Sequence, residues 1–185
     1  MRLIVIVTFL AISFTSYGKY YPGTLVFENG KSREGFIEAN LGDVVLFKGW
    51  MESPQPEEVP AAAIKTIWMK TNEGHKIHEY HYLSVEKSAS GLWLRSVEKG
   101  VVSLYVSENI SQQDGVDKTE SLDFYCLRQG DTKAKQIASH DNKQVFKSNA
   151  PQFFADKHQL VDKIKSQDCN LGNLQELVRT YNQGF

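Results

Sequence analysis

Residues 24–38, TLVFENGKSREGFIE, read as two short strands joined at Asn29-Gly30. Asn-Gly flanked by runs of β-forming residues is a strong short-range signal for a hairpin, because both residues tolerate the backbone a tight turn needs. The strands fall at 24–28 and 33–38. Further short runs follow at 43–47, 64–70, 75–85, 92–97, 101–106, 122–128 and 132–138, with 144–147 as a short closing strand. Turn chemistry separates them at Gly49-Trp50, Asn72-Glu73-Gly74, Ser88-Ala89-Ser90-Gly91, Lys99-Gly100 and Gly130-Asp131. Two longer polar stretches read as loops. Residues 51–60, MESPQPEEVP, combine prolines and acids, and residues 107–120, SENISQQDGVDKTE, carry only Ile110 and Val116 as large apolar side chains.

The period changes after residue 149. Pro151 suits the first turn of a helix capped by Ser148 or Asn149, and Phe153, Phe154, Leu160, Val161 and Ile164 fall on one helical stripe. A second helix is marked by Leu171, Leu174, Leu177, Val178 and Tyr181, with Asn173 and Glu176 placed as in a capping box. Strands first and helices last define an α+β class: an antiparallel sheet or small open barrel of about eight or nine short strands, then two C-terminal helices. The division is a leader at 1–18 and one globular domain at 19–185, β-rich over 22–148 and helical over 149–183.

The leader is read from its layout. Arg2 precedes an apolar core at 3–14, LIVIVTFLAISF, and Ser16 and Gly18 place small residues before Lys19. That is the order of a secretory signal peptide, with an apolar run shorter than the roughly 20 residues a spanning helix needs. No Cys adjoins the expected cut, and no later apolar run is long enough to cross a bilayer. Export to the periplasm or outer envelope, or beyond the cell, is therefore expected. Lys and Arg number 21 against 22 Asp and Glu. Without a basic stripe, nucleic acid is not the expected partner.

Three constellations carry chemistry. His75, His78 and His81 have the composition of a zinc or copper site. On a strand, however, His75 and His81 share one face and His78 takes the other. Cys126 and Cys169 enter an oxidising compartment, where a bridge between them would add roughly 4 kcal/mol on the chain-entropy model. The aromatics, among them Tyr80, Tyr82, Trp50, Trp68 and Trp93, suit a sugar- or peptide-binding face, though such residues more commonly pack the core or cover a sheet. No nucleophile elbow or phosphate-binding glycine loop occurs. Cys169 and His158 lack an orienting third group, and Asn109-Ile110-Ser111 is a glycosylation sequon only in a eukaryotic host.

The order Tyr21-Pro22-Gly23, Asn29-Gly30, Gly35-Phe36-Ile37, then Pro60 to Ile67, 101–105, Asp168-Cys169 and the C-terminal run Leu177-Val178-Arg179-Thr180-Tyr181-Asn182 resembles a group of uncharacterised secreted proteins of Bacteroidetes-type bacteria. Asn170 stands where that group commonly has proline, the last helical segment is shorter, and Cys126 is not one of its positions. The resemblance implies an envelope location and no activity. The reading that follows is a secreted, envelope-associated, non-enzymatic binding or structural module. Its expected partner is an envelope protein, a glycan or a small apolar ligand, with no cofactor. The alternatives are a metal-dependent hydrolase built on His75, His78 and His81, and a carrier holding an apolar ligand between sheet and helices.

Overall fold

The computed structural model describes residues 18–71, 76–113, 116–166 and 171–184, with backbone alone between 109 and 120. Ten strands form one sheet: β1 (Tyr20–Phe27), β2 (Ser32–Glu38), β3 (Val44–Lys48), β4 (Glu57–Pro60), β5 (Ile64–Lys70), β6 (Ile77–Ser84), β7 (Gly91–Glu98), β8 (Val102–Gln113), β9 (Val116–Arg128) and β10 (Lys135–Ser139). Helices α1 (Lys143–Phe153), α2 (His158–Lys165) and α3 (Leu174–Gln183) follow. The strand order is β10-β9-β8-β7-β6-β5-β1-β2-β3-β4, and every neighbouring pair is antiparallel. The α+β reading, sheet first and helices last, is the fold observed.

The Asn29-Gly30 hairpin forms through a three-residue connection. The Gly30 N–H donates to the Phe27 carbonyl, the Phe27 N–H donates to the Lys31 carbonyl, and Gly30 alone takes the left-handed conformation, at φ 80°. Pro22 fits inside β1 because the ladder with β5 begins only at Gly23, so no neighbour on that side needs its missing N–H.

The sheet curls at its β1–β5 end. β4 and β5 are joined only by a short 3-10 helix, Ala61–Ala63, yet four inter-strand steps separate them in the order. Flat, those steps would span about 19 Å, whereas the 3-10 link advances only about 2 Å per residue. The same curl brings the β2–β3 turn onto distant strands. Trp93 Nε1 of β7 donates to the Gly42 carbonyl at 2.9 Å, and the Tyr82 hydroxyl of β6 donates to Asp43 Oδ1 at 2.5 Å. Inside the curl lie Leu25, Ile37, Val45, Phe47, Val59 and Ile67, all buried. A second core fills the space between β8–β10 and the helices, with Leu104, Cys126, Ile137, Phe154, Leu160 and Val178 at its centre. A smaller third cluster, Val85, Leu94, Tyr105, Tyr125 and Ala134, lies where the segment after β6 meets the start of β10 through a parallel bridge between Val85 and Ala134.

Five sequence expectations need correction. Residues 57–60 are not loop but β4; as the outermost strand it accommodates Pro60, exposes Glu57 and Glu58, and turns Val59 inward. Residues 107–120 do not form a loop: β8 and β9 pair as far as Gln113 and Val116. Beyond Val106 and Asp123 the ladders with β7 and β10 stop and these two strands pair with each other, so the alternation that marks a half-buried strand is not required of them, and the polar sequence hid the ribbon. Residues 144–147 belong to α1, whose N-cap is Asn142, accepting from the Gln144 N–H at 3.0 Å. Pro151 therefore sits near the C-terminal end of α1 rather than in a first turn, and among the described residues the α-helices number three rather than two.

Candidate binding groove

Cross-strand registry gathers one set of outward side chains. Glu34 pairs with Thr24, Thr24 with Trp68, Pro22 with Phe36, and Lys70 with Ile77, and side chains of paired residues share a face. This face is opposite Leu25, Ile37 and Ile67, so it looks away from the curled core. After β3 the chain turns at Gly49-Trp50, closed by the Ser53 N–H donating to the Trp50 carbonyl at 3.1 Å. Trp50 forms a wall of a groove of about 830 Å³ whose lining includes Thr24, Glu34, Phe36, Trp68, Lys70 and Ile77. Trp50 is 78% exposed, Ile77 65% and Trp68 39%.

Charges beside the groove are answered within the protein. Arg33 makes a two-pronged pair with Glu57 at 2.8 and 2.7 Å and stacks over Phe47, its guanidinium 4.7 Å from the ring centre. The hydrogen bond from Arg33 holds the Glu57 carboxyl below the usual range. Next to Trp68, Glu79 accepts from Lys99 at 2.6 Å and pairs with His81 Nε2 at 2.9 Å. Lys99 also lies over the Trp68 ring, 5.8 Å from its centre. The remaining lining charges are one of each sign: Lys70 on β5 and Glu34 on β2.

The histidines do not converge. His81 faces outward with Glu79 and meets Tyr105 edge-on at 5.8 Å, while His78 sits on the opposite face, edge-on to Tyr80 at 6.5 Å. His75 lies outside the described residues. Among the described residues no three His, Cys, Asp or Glu side chains are grouped as a metal ion would require. Cys126 is fully buried, and that burial pushes its thiol pKa up. Cys169, its candidate disulfide partner, also lies outside the described residues. Between sheet and helices, where an apolar ligand would have to fit, Phe146, Phe153, Phe154 and Leu160 are packed against Leu104 and Ile137.

For the aromatics the sequence offers either a binding face or, more commonly, packing in the core or over a sheet. Trp93 and Tyr80 are buried in the core, whereas Trp50 and Trp68 are exposed. For Trp68 the signal was present: it stands between Ile67 and Met69, both core residues, so alternation turned it out. Trp50 gave no comparable signal, because a turn residue has no period. Compared with protein-family models, with curated proteins and with solved structures, the chain gives no match.

Proposed function

We propose that the chain is an exported, envelope-associated binding module that holds its ligand in the groove between Trp50 and Trp68, with no catalytic step. The observation that carries this reading is the exposure of Trp50, Trp68 and Ile77 together along one groove, while Leu25, Ile37, Phe47 and Ile67 beneath are buried. Large apolar side chains gathered along one groove leave area in water that a partner would cover, and that grouping is what supports the reading. Support for export comes from the leader-like order of residues 1–18 and from the resemblance to secreted envelope proteins. No helix among the described residues is long and apolar enough to cross a membrane.

Two measurements test the reading. N-terminal sequencing of protein from the native host should find Lys19 first; an intact Met1 would end the export proposal. Purified 19–185 should co-sediment with isolated envelopes of the host, and the double variant Trp50→Ala/Trp68→Ala should stay in the supernatant while melting like wild type. Equal sedimentation of both proteins would remove the groove from the proposal.

A further inference from the structure

We infer that the groove binds a neutral oligosaccharide, a step that rests on the binding-module reading above. The first argument is charge. Of the three charges that line the groove, Arg33 is matched by Glu57 beside it, and Lys70 and Glu34 are one of each sign; next to Trp68, Lys99 is matched by Glu79. A charged ligand finds no net complement here, and a neutral one meets no repulsion.

The second argument is the interleaving of surfaces. Registry sets Thr24 between Glu34 and Trp68, and Lys70 beside Ile77, so aromatic, apolar and hydrogen-bonding groups alternate along one face. A sugar ring has the matching chemistry: C–H bonds on its flat faces and hydroxyls around its edge. The ring of Trp50 offers a broad, rigid apolar surface for a C–H face, and the exposed part of Trp68, beside the Lys99 that lies over its ring, offers a smaller one. Glu34 accepts from a hydroxyl, Lys70 donates to one, and Thr24 does either. An apolar peptide would instead strip water from Glu34 and Lys70 without replacing those hydrogen bonds, at a cost. A small apolar ligand needs a site that encloses most of its surface, and a groove walled by a Trp that is 78% exposed does not enclose.

The test uses the 19–185 chain with a panel of neutral hexasaccharides: β-1,4-glucose, α-1,4-glucose, β-1,4-N-acetylglucosamine and β-1,4-xylose. Binding is followed by tryptophan fluorescence and by saturation-transfer NMR. At least one member should bind saturably, with an affinity that holds up to roughly 0.5 M salt because no net charge is neutralised. Trp50→Ala and Trp68→Ala should each weaken it by about tenfold or more, as anchor tryptophans do. Binding by none of the panel would overturn the inference. So would sugar binding that ignores both substitutions, or binding confined to polygalacturonate and lost in salt. An extended apolar peptide or a phosphatidylglycerol vesicle that binds in a Trp50-dependent way would also overturn it, yet leave the groove as the binding site. Envelope sedimentation indifferent to Trp50 and Trp68, with no sugar bound, would remove both readings.

Discussion

Asn182 and Val102 are joined like two residues of neighbouring strands. The Val102 N–H donates to Asn182 Oδ1 at 2.8 Å, and Asn182 Nδ2 donates back to the Val102 carbonyl at 2.8 Å. A side-chain amide near the end of α3 thereby satisfies both backbone groups at the start of β8, where Val102 is fully buried. Two further ties hold the same helix to the end of β7: Arg179 and Gln175 both donate to Glu98. Residues 175–182 of α3 are thus the clasp between helix and sheet. Asn182→Ala leaves a buried donor and acceptor without partners, and a loss of about 1–3 kcal/mol is expected. Asn182→Asp should not rescue it, since a carboxylate accepts from the N–H but faces the carbonyl with another acceptor. Thermal melts of both variants check this; a melting point within a degree of wild type for the alanine variant would show that the clasp is dispensable.

Gly35 should resist substitution as firmly. It pairs with Gly23 across β1 and β2, and a methyl group there would lie 2.3 Å from the Lys48 carbonyl and 2.5 Å from the Phe47 ring. Phe47 packs where a side chain on β2 would otherwise stand, which lets the strands close over it. Gly35→Ala therefore overpacks this site against backbone as well as side chain, and a cost of about 1–3 kcal/mol or more is expected. Chemical denaturation measures it directly. A stability unchanged from wild type would mean that the curl does not depend on this close approach.

These two relationships, together with the hydrogen bond from the Tyr181 hydroxyl to Asp156, show what a sequence conceals. Gly35, Asn182 and Tyr181 were visible as motif residues, yet each acts on a partner far along the chain: Phe47, Val102 and Asp156. Local pattern carries strand and helix because alternation and 3.6-residue spacing are local properties. The hairpin at Asn29-Gly30 and the apolar stripes of α2 and α3 were legible for that reason. The curl depends on the brevity of the β4–β5 link, and β4 was itself hidden behind its prolines and acids. The groove was half legible: Trp68 through its alternation with core residues, Trp50 not at all.

Acid should loosen the helices from the sheet. Burial pushes the Asp156 carboxyl up, but hydrogen bonds from Tyr181 and Arg128 outweigh it and hold the carboxyl below its ordinary value. Tyr181 donates to Asp156 Oδ2 at 2.6 Å, Arg128 to Oδ1 at 2.6 Å, and Arg128 also donates to the Phe153 carbonyl. Glu98 is lowered likewise, by its hydrogen bonds from Arg179 and then Gln175. For a carboxyl lowered by folding, the stabilisation is complete above the unfolded value, about 4, and is lost as pH falls through the folded one. The melting point should therefore hold near pH 6 and drop below about pH 4. Asp156→Asn combined with Glu98→Gln should melt lower at neutral pH and show a shallower drop in acid. An acid limb as steep as that of wild type would assign the loss to other carboxyls.

Leu160 and Trp50 should respond in opposite ways to the same truncation. Leu160 is 1% exposed on α2, within the core that includes Phe154, Ile164 and Leu174, whereas Trp50 is 78% exposed. Leu160→Ala removes packed atoms and leaves a cavity, for which about 2–5 kcal/mol is expected. Leu160→Asp adds an unpaired buried charge, and a severe loss of folded protein should follow. Trp50→Ala removes a larger side chain from water, so a change within about 0.5 kcal/mol is expected. Denaturant titrations of the three variants decide the matter together. If Trp50→Ala proved as costly as Leu160→Ala, the tryptophan would be part of the fold's packing, and the groove would lose the residue that most marks it as a place for a ligand.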